Sequence, residues 1–200
     1  MFLIDRMIAQ QNFFSLATAI AAILLPLPAS YSPVTSPSSA HPTSWQTAQQ
    51  QGIAKSASGL STQTGIQQML DAHNQWRKQY NVPALTWSPQ LASYAQEWAN
   101  RLIRENKFEH RQNSRYGENL AWASGQLLSP QQVVNMWGNE VKDYTYATNS
   151  CKPGKVCGHY TQIVWRNTKQ VGCGMARSNG KEIWVCNYNP PGNYIGQKPY

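Results

Sequence analysis

From residue 66 onward the apolar positions of the chain fall into two kinds of pattern. Ile66, Met69, Leu70, His73, Trp76 and Tyr80 recur at helical spacing and predict an amphipathic helix over 66–80. Ser88-Pro89 places an N-cap serine before a proline at the first helical position. Behind it Leu91, Ala95, Trp98, Ala99, Leu102 and Ile103 form one apolar face. Ser129-Pro130 repeats that signal, and Val133, Val134, Trp137, Val141 and Tyr144 predict a helix running to residue 144. Past Cys157 the pattern reads as strands over 159–166, 171–177 and 182–188. Three or four helices followed by antiparallel strands imply a layered α+β domain.

Asn179-Gly180, between the last two strands, is a strong two-residue hairpin turn. Residue numbers facing each other across such a turn add to a constant, and Cys173 with Cys186 satisfies it. Counted outward from the turn they form a non-hydrogen-bonded pair, with Cα atoms about 4.5 Å apart and within disulfide reach. Cys151 and Cys157 are left to close a short loop rich in Lys, Pro and Gly. No C-x-x-C occurs, which favours an oxidised framework over a zinc site.

The amino-terminal quarter has a different character. Arg6 precedes an apolar stretch over 13–25, broken only by Ser15 and Thr18 and ended by Pro26 and Pro28. It is short for a membrane span and suits the apolar region of a signal peptide, with cleavage near Ala29 or Ser30. Residues 30–65 are mostly Ser, Thr, Pro, Gln, Ala and Gly, a composition that buries too little to fold and acts as a tether. The expected organisation is a signal peptide over 1–29, a linker over 30–65 and one domain over 66–200. The protein is therefore expected outside the cell, or in the periplasm of a host with an outer membrane. Seventeen Lys and Arg against nine Asp and Glu give a net charge of +8, with no run of basic residues. Charge so spread favours anionic walls or membrane headgroups as much as nucleic acid, and a nucleic-acid binder has no other support in the sequence.

Few groups able to do chemistry are present. G-x-S-x-G, the P-loop, G-x-G-x-x-G and H-E-x-x-H are all missing. Of the histidines past the linker, His73 lies on the apolar helix face and reads as a packing residue. His110 lies in a polar loop, and His159 follows Gly158. Glu118 is hemmed by apolar and aromatic neighbours, and Glu140 follows Trp137 by three residues. Spacing alone does not join these groups.

Four blocks of sequence do carry a resemblance. Gly158-His159-Tyr160-Thr161-Gln162-Ile163-Val164-Trp165 and Cys186-Asn187-Tyr188-Asn189-Pro190-Pro191-Gly192-Asn193-Tyr194 resemble the two signatures of the CAP superfamily. Gly117-Glu118-Asn119-Leu120-Ala121 is a third matching block, and Asp71-Ala72-His73-Asn74 with Leu85-Thr86-Trp87 resembles its domain opening. That superfamily comprises cysteine-rich secretory proteins, antigen 5 and pathogenesis-related 1 proteins, and the resemblance is to the last of these. It implies a three-layer α-β-α sandwich with an antiparallel central sheet and an open cleft lined by His110, Glu118, Glu140 and His159. His110 and His159 are then the implied ligands of a divalent metal, zinc first, that the fold does not require. Glu118 and Glu140 are the candidates for any catalytic base. The family's third disulfide has no counterpart, and the implied pairs, 151 with 157 and 173 with 186, agree with the hairpin spacing.

Three functions follow from that resemblance. The leading one is a non-enzymatic secreted module that binds a lipid, sterol or anionic cell-surface ligand, without a membrane span. The second is a metal-assisted hydrolase of peptidase type. The third is a precursor of a signalling peptide, because residues 190–200 resemble a C-terminal peptide released from some plant members.

Overall fold

The computed structural model describes residue 60 and residues 62–200. The expected leader, and almost all of the linker, lie outside the described residues. Helix α1 spans Gln63–Gln79 and starts earlier than apolar spacing suggests, because the Thr62 hydroxyl accepts from Gly65 N at 3.0 Å and caps it. After the short strand β1 (Thr86–Trp87), helix α2 spans Pro89–Glu105 behind the Ser88 cap and ends on Asn106 in left-handed conformation, φ 51°. Helix α3 spans Pro130–Gly138 from a capping box of Ser129 and Gln132. It does not continue to Tyr144 as expected. Gly138-Asn139 is weak in helix propensity, and the chain tightens into a 3-10 turn over Asn139–Asp143.

The sheet contains β2 (Gly117–Ser124), β5 (Gln170–Ser178) and β6 (Lys181–Asn189) in the order β1-β5-β6-β2. Its pairings are antiparallel except that β1 runs parallel to β5. Strands β3 (Tyr144–Thr145) and β4 (Ser150–Cys151) form a separate two-stranded ribbon. Asn179 and Gly180 turn the hairpin with φ of 49° and 71°, as a two-residue turn requires. Cys173 then faces Cys186 with Cα atoms 4.1 Å apart, and the two are joined; Cys151 is joined to Cys157.

The strand expected over 159–166 is instead helix α4, Gly158–Ile163. Tyr160, Thr161, Gln162 and Ile163 are all buried, so the segment has no polar face to reveal its period. Its end is fixed from outside. Arg77, fully buried on α1, donates to the carbonyls of Ile163 (2.8 Å), Trp165 (2.9 Å) and Thr168 (3.0 Å), and to Pro83 O. Carbonyls left over at a helix end need such donors.

Alternation along the strands builds two cores. Leu120, Ala176, Ile183 and Val185 face α2, against Ala95, Trp98, Ala99 and Leu102. The intervening Ala121, Cys173, Trp184, Cys186 and Tyr188 face α1, α3 and α4. The result is a three-layer α-β-α sandwich.

Candidate functional site

Edge strand β2 begins the site. Glu118 is its second residue, and its side chain is only 6% exposed. One oxygen accepts from His110 Nδ1 and from the Arg111 main-chain N–H, both at 2.9 Å; the other accepts from Asn187 Nδ2 on β6 at 3.2 Å. His110, in the loop after α2, is thereby drawn to the sheet edge with its side chain 46% exposed.

The second pair arises where α3 fails to continue. The 3-10 turn carries Glu140 to the start of α4, whose first residues have no side-chain cap of their own. Glu140 Oε2 accepts the main-chain N–H of His159 (3.0 Å) and of Tyr160 (3.1 Å), so a carboxylate sits at a helix N-terminus. Its Oε1 accepts from His159 Nδ1 at 2.6 Å. The imidazole is also stacked on the Trp137 ring, with centroids 6.1 Å apart and 21° between planes.

The structure therefore joins the four expected residues as two His–Glu pairs. Asn119, next to Glu118, connects them by donating to His159 O at 3.1 Å. The same Nδ2 lies 3.2 Å from the Tyr188 hydroxyl, which meets His73 Nε2 at 2.9 Å, while His73 Nδ1 donates to Met69 O at 2.8 Å. His73 is the packing residue expected, and burial pushes its imidazole down to about 4, partly offset by the Met69 bond and assisted by Arg77. Burial likewise raises the Tyr188 phenol.

In each pair the Nδ1 side of the ring faces a carboxylate that also accepts from the main chain, which fixes the orientation of the imidazole. A ring so oriented could offer Nε2 to a metal when neutral, or donate from it to an acidic ligand group when protonated. Among the described residues no group of three or more His, Cys, Asp or Glu is placed to hold a metal ion. Both carboxylates are engaged through both oxygens, which suits orientation better than proton abstraction. A separate recess, walled by Phe108, Trp122 and Ile183, opens further along β2 and involves neither pair.

Asn119, Asn187 and the Arg111 main chain are the site groups that spacing does not reveal. Asn187 is wholly buried, and its Oδ1 is the one buried side-chain polar atom without a partner among the described residues.

A sandwich of this layering, with one His–Glu pair at its edge strand and another at the start of α4, defines a class of domain, and residues 70–188 match the model of the cysteine-rich secretory protein family, CAP. The chain belongs to that family. Within it the similarity is to plant proteins of pathogenesis-related 1 type. Pathogenesis-related protein 1C of Nicotiana tabacum is 48% identical over 139 residues, which cover 69% of this chain and 82% of that one. Pathogenesis-related protein 1 of Arabidopsis thaliana is 47% identical over 142 residues, covering 70% and 86%. The fold extends further: the structure of BmVAL-1 matches with a TM-score of 0.60 at 23% identity, covering 71% of this chain and 84% of that one.

Proposed function

We propose that this pathogenesis-related 1-like protein is a secreted, non-enzymatic binding module whose paired histidines receive a divalent metal or an acidic ligand group. The carrying observation is the anchoring of each Glu. Three hydrogen bonds fix Glu118 and three fix Glu140, and each holds its own histidine by Nδ1. A hydrolase would need one of these carboxylates open to a water. Secretion is supported by the apolar stretch over 13–25, by the two disulfides, and by the family to which the chain belongs. No helix among the described residues is long and apolar enough to cross a membrane.

Zinc titration by calorimetry tests the cleft. His159→Ala is expected to weaken zinc binding about tenfold or more, and His73→Ala to leave it unchanged although it lowers stability. Binding should also weaken on acidification, because protons compete for the same ring nitrogens. Equal zinc affinity in the wild type and His159→Ala would leave the pairs as purely architectural clamps.

A further inference from the structure

The tail after β6 is fastened to the molecule beside α4. Asn193 Nδ2 donates to Gly158 O at 2.8 Å, and its Oδ1 accepts from the Thr161 hydroxyl at 2.7 Å. The chain then turns, with Gln197 N donating to Tyr194 O, and Asn149 Nδ2 holds Gln197 O at 3.0 Å. Tyr194 packs on the buried Trp165 with ring centroids 6.0 Å apart. The turn thus straddles the base of the loop closed by Cys151 and Cys157. Ile195, at its tip, is 84% exposed, the most exposed of the large apolar side chains among the described residues. Val156 on the disulfide loop is 60% exposed and Tyr194 49%. Lys155 and Lys198, on the same two segments, are exposed, as is Lys152, whose ammonium pairs with Asp143 at 3.2 Å.

Charge decides the partner. Residues 150–158 and 190–200 carry Lys152, Lys155 and Lys198 and no Asp or Glu; Lys152 is paired with Asp143 of the preceding 3-10 turn at 3.2 Å, which leaves Lys155 and Lys198 to face an anionic partner. Apolar tips on two tethered turns that carry lysines and no carboxylate of their own match an anionic lipid surface. Aliphatic side chains enter the acyl boundary, a tyrosine sits at headgroup depth, and lysines meet the phosphates. Acidic sugars or nucleic acid would use the lysines but gain little from Ile195 and Val156.

We infer that the Tyr194–Gln197 turn and the Cys151–Cys157 loop form a docking surface for an anionic lipid bilayer. This names one partner for the binding-module reading and rests on the protein meeting a cell surface, but not on the metal cleft. The test uses the full chain with vesicles of phosphatidylglycerol and phosphatidylcholine, or of phosphatidylcholine alone. Hydrogen exchange reads residues 152–158 and 193–198 directly, so the apolar stretch over 13–25, common to every variant, does not obscure the result. Slowed exchange in these two segments is expected with the anionic vesicles only, and is to be lost at high salt. Ile195→Asp and Val156→Asp, at exposed positions, should each weaken the vesicle dependence of that protection about tenfold, as should the pair Lys155→Glu and Lys198→Glu. His159→Ala should leave it intact, which separates failure of this surface from failure of the cleft. Equal protection by neutral vesicles, or none by either, overturns the proposal. So does protection by polygalacturonate or single-stranded DNA that Ile195→Asp leaves unchanged.

Discussion

His73 places one pH-dependent contribution to stability in a buried ring. The folded state keeps it neutral, with its titration pushed down to about 4 by burial, while an unfolded chain takes up the proton below about 6.5. Acid therefore favours the unfolded chain. This contribution to stability is whole above about 6.5 and falls away toward about 4, by on the order of 3 kcal/mol. Urea unfolding between pH 7 and 4.5 should show the wild type losing about 2–3 kcal/mol more than His73→Gln over that interval. Parallel pH profiles for the two would assign acid sensitivity elsewhere. His73 was legible as a core residue from its place on the apolar stripe of α1. Arg77 lies on the same stripe, four residues on, and that position was the available signal that its charge is turned inward. The pairing of His110 with Glu118 and of His159 with Glu140 was legible only through resemblance. The partners stand 8 and 19 residues apart on loops and turns that no periodicity links.

Between elements, helix packing is set by where side chains are missing. Gly172 and Gly174 alternate with Cys173 on β5, so both point at α2. A Cβ on Gly172 would stand 2.2 Å from Ala92 N, and one on Gly174 would stand 2.3 Å from Gln96 Cα. The helix backbone lies directly on the strand. Gly174→Ala should therefore cost about 2–3 kcal/mol in thermal or urea unfolding, because the backbone of α2 must shift to admit the methyl. A cost below about 0.5 kcal/mol would show the two layers to be more compliant than this contact implies. The serine-proline starts of α2 and α3, and the hairpin with its disulfide, were readable because local chemistry dictates them. Strand β2 and helix α4 were not. Leu120 and Ala121 are both buried, as are four successive residues of α4, so burial on every side erases the alternation that separates strand from helix.

Over the whole molecule, an aromatic cluster closes the face opposite α2. Tyr200 stacks on Tyr80 of α1 at 4.8 Å and on Tyr146 of the β3–β4 ribbon at 4.7 Å, and its hydroxyl meets Tyr160 of α4 at 2.8 Å. Pro199, also buried, accepts from Arg166 N. Three regions distant in sequence are thus pinned by one residue. Removing Pro199 and Tyr200 should lower stability by about 2 kcal/mol, or roughly 6 °C in Tm. An unchanged Tm would mean that the tail follows the fold without supporting it.

The strand order has a further consequence for how the protein is made. The sheet runs β1-β5-β6-β2, so one of its two central positions is taken by the strand that follows every other in the sequence. Until residues 181–189 have left the ribosome, β2 has no neighbour in the sheet and neither core has its middle wall. A nascent chain can wind its helices but cannot close the domain. It stays threadable until those residues emerge, which is what the export proposed above would require of it.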